Sequence, residues 1–129
     1  MACLDTNFII DLLKEKPFIR TLSDVLEYEK MIFIPAPVVL ELWLGALLSN
    51  NPEKEKHKVL FFISSFPILP LDDGSAMESA QIQSELIKKG KKMAPFDLMI
   101  AGIARKKGER IITKDPDFTR VHCLEVIAY

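Results

Sequence analysis

A chain of 129 residues, 49% hydrophobic and 27% charged, is sized for one ordinary domain (residues 1–129) and is too apolar to be disordered. Its net charge of −1 supplies no global field to draw nucleic acid, so any basic surface must be local. The longest uncharged stretch, residues 59–71, is shorter than the roughly 18 residues of a membrane span, and Asp5 and Asp11 interrupt the apolar N-terminus with no basic segment before them. Neither a membrane span nor a cleavable signal peptide is expected, which points to the cytoplasm.

Residues 1–4 read as a short buried strand, and Asp5-Thr6-Asn7 then supplies capping chemistry for a helix carrying Phe8, Ile9, Ile10, Leu12 and Leu13. Pro17 breaks that helix, and Phe18, Leu22, Val25 and Leu26 mark an amphipathic successor running to about Lys30. A strand over residues 31–34 follows. Pro37 suits the first turn of a helix that continues through Val38 to Leu48, and Asn50-Asn51-Pro52 ends it. Residues 53–65 begin as a charged helical face and turn apolar, and residues 68–71 form a third short strand or extended piece. Asp72, Asp73 and Gly74 are expected to turn. A helix over residues 75–89 stops at Gly90, and Pro95 opens another that ends at Gly108. Residues 110–113 are a strand, Asp115-Pro116-Asp117 a turn, and residues 124–128 a final strand. Cys3 and Cys123 lie near opposite ends of the sequence, which excludes a local thiolate zinc site; buried free thiols are the default for both.

Short apolar strands alternating with helices predict an α/β fold, a mainly parallel sheet covered on both faces. In such sheets ligands gather outside the carboxyl ends of the strands, where Asp5 and Asp115 fall. Asp5 follows the first strand directly and serves equally well as a helix N-cap. Glu41 is the one charged residue between Ile32 and Ser49. One turn either side of it stand Pro37 and Gly45, then Ser49, so the carboxylate looks into open space; a narrow solvent-facing stripe is the plain alternative. Asp97 sits in the first turn after Pro95, where the helix dipole alone would favour it, yet Ala101 and Ala104 along its face again leave room. Asp115 and Asp117 flank Pro116, and one of them could be only a turn former; Asp115 is the closer to the strand end. Asn7 and Thr113 can add amide and hydroxyl contacts, although capping is the commoner use of both.

Carboxylates gathered without a cation repel and raise one another's pKa, so this set calls for a divalent ion. All-oxygen ligands select hard metals, Mg2+ or Mn2+, and His57 and His122 do not supply a zinc site.

Leu4-Asp5-Thr6-Asn7, Glu41-Leu-Trp-Leu-Gly45-Ala46, Phe96-Asp97-Leu-Met-Ile-Ala101 and Thr113-Lys-Asp115-Pro-Asp117-Phe118 occur in this order along the whole length, and in that order the chain resembles a PIN domain of the VapC type, a toxin ribonuclease of a prokaryotic toxin-antitoxin pair. The resemblance implies a three-layer α/β/α fold and an endoribonuclease dependent on one or two Mg2+ or Mn2+ ions. It gives Asp5, Glu41, Asp97 and Asp115 the place of the family's acidic quartet, Asp117 that of an accessory acid, and Asn7 and Thr113 supporting roles. It also implies an RNA substrate, a cognate antitoxin and a homodimer or higher homo-oligomer. One departure is the approach to the third acid, Lys91-Lys92-Met93-Ala94-Pro95-Phe96, bulkier and more basic than the family's usual polar loop.

Phosphodiester hydrolysis is the leading reading, with Asp5, Asp97 and Asp115 on the metal and Glu41 binding the ion or orienting the attacking water. Lys91, Lys92 and Arg105 are candidate phosphate contacts; solvated helix ends would look the same. Phe8, Phe61, Phe62, Phe66 and Trp43 sit in apolar contexts and read as core or dimer surface. Two non-catalytic readings stay open. One is a receiver-like magnesium-binding module, which lacks its usual adjacent acid pair here; the other is a PIN-like scaffold that binds RNA or protein without cutting.

Overall fold

The computed structural model describes residues 2–14, 27 and 31–129, so the predicted helix ending near Lys30 falls almost wholly outside the described residues. Five strands, β1 (Ala2–Leu4), β2 (Ile32–Pro35), β3 (Ile68–Leu69), β4 (Arg110–Thr113) and β5 (Val126–Ala128), form one sheet in the order β3-β2-β1-β4-β5. Every pairing is parallel. Ala2 lies beside both Ile32 and Arg110, Leu4 beside Ile112, Ile34 beside Ile68, and Ile112 beside Ile127. β1 is the central strand and is wholly buried, which explains why it reads as an unbroken apolar run and does not alternate.

The helices α1 (Thr6–Leu13), α2 (Ala36–Leu47), α3 (Pro52–Ile63), α4 (Asp73–Lys88) and α5 (Pro95–Lys107) complete a three-layer α/β/α arrangement, as expected. No helix among the described residues is long and apolar enough to cross a membrane. α4 begins two residues before its predicted start. Asp72 and Asp73 do not turn; Asp72 is the N-cap of a capping box, its Oδ1 accepting from the Ser75 N–H at 2.8 Å while Ser75 Oγ accepts from the Asp72 N–H at 2.8 Å. The predicted turn at Asp115 is likewise a cap, here of a 3-10 helix over Pro116–Arg120. Gly90 and Gly108 both take positive φ at helix ends, the conformation that only glycine adopts without strain. Both cysteines are free thiols. Cys3 is buried, and burial first, then the Glu109 carboxylate, pushes its thiol up to about 12; Cys123 is exposed, against the buried default.

α5 is buried over five successive residues, Ile100 to Ala104, because it lies between the sheet and α4. The close approach depends on Gly102: a Cβ there would stand 2.9 Å from both the Ser75 carbonyl oxygen and the Ser79 Cβ. Gly45 differs, since a Cβ there meets nothing within 4 Å. Gly102→Ala should therefore destabilise the protein by about 1–3 kcal/mol through overpacking. Gly45→Ala should stabilise it by up to about 1 kcal/mol through helix propensity, and opposite shifts in denaturant midpoint would check both.

Candidate active site

The chain leaves β1 toward β2 and β3 on one side, and β4 and β5 lie on the other, so the boundary between β1 and β4 is the point where strand order reverses. Asp5 follows β1 there and Asp115 follows β4. Thr113, the last residue of β4, is almost fully buried and joins the two: its hydroxyl donates to Asp5 Oδ2 at 2.6 Å and its Oγ1 accepts from the Asp115 N–H at 3.0 Å. Asp5 is 3% exposed and also caps α1, its Oδ1 accepting from the Thr6 N–H at 2.8 Å. Burial raises the Asp5 pKa; the Thr113 and Thr6 hydrogen bonds oppose the rise, and Glu41 and Asp115 add to it.

Glu41 reaches the same place from α2. Its Oε1 accepts from the Thr6 hydroxyl at 2.7 Å, a contact that ties α2 to the start of α1. The open space expected beside it exists among the described residues as a cleft of about 430 Å³, lined by Glu41, Gly45 and Ser49 together with Ile10 and Leu13. Asp97, half-buried in the first turn of α5, has its carboxyl pushed up to about 6 by burial and then by Asp5, Asp115, Glu41 and Asp117. Four acids from three separate elements therefore act on one carboxyl. Among the described residues no cation pairs with Asp5, Glu41, Asp97 or Asp115.

The neighbouring acids are treated differently. Asp117, whose N–H donates to Asp115 Oδ1 at 2.9 Å, is paired with Arg120 Nη2 at 2.8 Å and stands at the periphery. Asp11 is buried and accepts from Lys114 Nζ at 2.9 Å and from the Tyr129 hydroxyl at 3.0 Å. Sequence reading singled out neither that cluster nor Thr6. The available signals were Asp11 alone among Phe8, Ile9, Ile10, Leu12 and Leu13, and the Asp5-Thr6-Asn7 cap itself.

The remaining candidates separate. Asn7 is exposed on the first turn of α1, and Lys91 and Lys92 are exposed in the loop before α5. Arg105 does not join them. It lies eight residues beyond Asp97, about 12 Å along the helix, and its side chain is only 10% exposed. Its Nε donates to Glu78 at 2.6 Å, and its Nη1 donates to Glu85 at 3.2 Å and to the His122 carbonyl at 3.1 Å. Arg105 bolts α4 and α5 to the segment before β5, because acids on α4 lie closer to it than any phosphate at the acidic site would.

The donor set is entirely oxygen and suits a hard divalent ion. Among the described residues no group of three or more Asp, Glu, His or Cys side chains is placed to hold a metal ion as it stands.

The description "PIN domain" matches residues 2–122. The chain belongs to the PIN-domain family. This PIN domain is 37% identical over 119 residues to the tRNA(fMet)-specific endonuclease VapC of Shigella flexneri, covering 92% of this chain and 89% of that one. It superimposes on the DNA-bound VapBC of Salmonella typhimurium with a TM-score of 0.88 at 31% identity, covering 98% and 96% of the two chains. It matches the fold of Rickettsia felis VapBC2, bound to a promoter DNA fragment, with a TM-score of 0.90 at 23% identity over 99% and 98%.

The raised carboxyls set a pH dependence. A carboxyl whose folded pKa lies above its unfolded value favours folding at pH below the unfolded value, and that contribution is lost as pH rises through the folded value. For Asp97 the window runs from 3.8 to about 6. Thermal melts of metal-free protein should show Asp97→Asn gaining stability over wild type as pH rises through that window. Magnesium should raise the melting temperature more at pH 7.5 than at pH 5, where protons compete for the same oxygens. Parallel pH profiles for the two proteins would contradict the coupling.

Proposed function

We infer that this PIN domain is a metal-dependent endoribonuclease of the VapC type, the toxin of a toxin-antitoxin pair acting in the cytoplasm. The observation that carries the reading is the convergence of Asp5, Glu41, Asp97 and Asp115 at the β1/β4 boundary with no cation among the described residues to neutralise them. Asp5, Asp97 and Asp115 are the residues to hold Mg2+ or Mn2+. When bound, such an ion supplies activation of water and stabilisation of charge on the phosphoryl oxygens. Thr113 ties the Asp5 carboxylate to the backbone of Asp115, and the Asp117 N–H holds the Asp115 carboxylate, so both are preorganised for a phosphate. Thr6 holds one oxygen of Glu41, and the other is the group to orient the attacking water. Asn7 and Asp117 flank the site in supporting positions.

Lys91 and Lys92, exposed on the loop that leads to Asp97, are the phosphate contacts we assign. The Shigella flexneri relative is named for tRNA(fMet), which makes tRNA the first substrate to test. VapBC assemblies among the structural relatives support an antitoxin partner. Leu40, Leu44 and Leu47 expose one stripe of α2 by their spacing, continued by its C-cap Leu48, and Phe61 of α3 is 81% exposed; these are the surfaces we assign to protein partners, the antitoxin and a second copy in a homodimer.

The decisive experiment is cleavage of tRNA and of unstructured RNA with magnesium, with manganese and with chelator. Wild type should cut only with metal, and Asp5→Asn should lose at least about 100-fold in rate, more than a group outside the ligand shell costs, while keeping its fold. Metal-independent cutting, or an active Asp5→Asn, would sink the assignment; no cutting by folded, metal-binding wild type would move it to a binding module. The basic residues give a separate check. Replacing Lys91 and Lys92 with Gln should reduce the slope of log affinity against log salt by about 1.4, two contacts at roughly 0.7 each. Arg105→Gln should lower thermal stability and leave that slope unchanged.

A further inference from the structure

The loop between α4 and α5 is anchored at both ends. At its start α4 closes in a Schellman motif on Gly90, the Lys91 N–H donating to the Leu86 carbonyl and the Gly90 N–H to the Ile87 carbonyl, both at 2.9 Å. At its end the amide of Gln83, on α4, grips the backbone of Met93. Gln83 Nε2 donates to the Met93 carbonyl at 3.0 Å, and the Met93 N–H donates to Gln83 Oε1 at 3.1 Å. The side chain thus supplies the matched donor and acceptor that a neighbouring strand would otherwise provide. Met93 itself is 2% exposed, so its side chain holds the same point from within the core.

The consequence falls on Asp97. Ala94 is the N-cap of α5 and has no side-chain group to cap it, and the first bond of the helix runs from the Leu98 N–H to the Ala94 carbonyl at 2.9 Å. Where α5 begins, and which way its first turn faces, is therefore set by the residue before the cap. That residue is Met93, in the grip of Gln83. We propose that Gln83 is a positioning residue of the active site, its clasp on the Met93 peptide setting the direction in which Asp97 enters the acidic centre. The same clasp holds Lys91 and Lys92 between two fixed points. This role rests on the metal-centre reading above.

The test uses Gln83→Leu, which keeps the volume and helix propensity and removes both hydrogen bonds. Gln83→Glu, which loses only the donor to the Met93 carbonyl, carries the same test should the Leu variant fail to fold. Amide hydrogen exchange at Met93 and Leu98 reads the clasp without metal, and titration calorimetry with Mn2+ reads the centre without RNA. The expected result is faster exchange at Met93 and about 10-fold weaker Mn2+ binding, the low end of what displaced supporting groups cost. Arg105→Gln, which loosens the same pair of helices at the end away from the loop, should bind Mn2+ as wild type does. Unchanged exchange at Met93, wild-type Mn2+ affinity in the Gln83 variant, or an equal loss in Arg105→Gln would each overturn the proposal. A wild-type protein that binds no Mn2+ would overturn the metal-centre reading and this role with it, a failure recognisable because it precedes any substitution.

Discussion

Carboxylates pressed together at the edge of a sheet repel one another, and the fold has to hold them there against that repulsion. The hydroxyl of Thr113 is the contact on which the arrangement turns. It lies at the end of β4, almost fully buried, and binds both Asp5 after β1 and the backbone of Asp115. A hydrogen bond to a charged group is worth roughly 1.5–3 kcal/mol, and breaking it would leave a buried carboxylate oxygen unsatisfied. Thr6 does the same service for Glu41. Two short hydroxyl side chains thus hold Asp5 and Glu41 in place without neutralising their charge.

That role is available to Thr113 only because of the sheet's register. β1 and β4 are adjacent and parallel, with Leu4 beside Ile112, so the residues that follow each pair emerge side by side at the same edge. Because β2 and β3 lie on the other side of β1, the helices that leave the strands diverge at this boundary and leave an opening. Asp97 enters it from α5, whose close seating against α4 depends on Gly102 having no side chain.

How much of this was legible in the sequence follows from the range of each interaction. Asp5, Glu41, Asp97 and Asp115 stood out because each is an acid where local pattern demands an apolar or capping residue, and the parallel fold follows from short uninterrupted apolar strands. Thr6 was hidden by its neighbourhood, since a threonine after an N-cap needs no further explanation. The Asp11, Lys114 and Tyr129 cluster was hidden by distance, its partners lying 103 and 118 residues from Asp11. Arg105 misled for the opposite reason. Being on the same helix as Asp97 suggested a shared site, whereas eight residues of helix carry it to the far end, where Glu78 and Glu85 of α4 claim it. The start of α4 was misplaced because Asp72-Asp73-Gly74 reads as a turn until the reciprocal bond from Ser75 is seen.

The treatment of the acids around the centre separates what stability requires from what the site requires. Glu78 and Glu85 are paired with Arg105, Asp117 with Arg120, and Asp11 with Lys114 and the Tyr129 hydroxyl. Each of these charges is offset within the fold. Among the described residues Asp5, Glu41, Asp97 and Asp115 are satisfied by hydroxyls and backbone N–H groups at most, and burial followed by their mutual field lifts the Asp97 carboxyl to about 6. A lysine among them would stabilise the protein, and it would also occupy the position of the divalent ion in the centre proposed above. The uncompensated charge is therefore a standing cost to stability, placed where strain is expected in a working site. It is relieved by protonation, and would be relieved by any cation that binds the folded state, so proton binding, cation binding and stability are linked at this edge of the sheet.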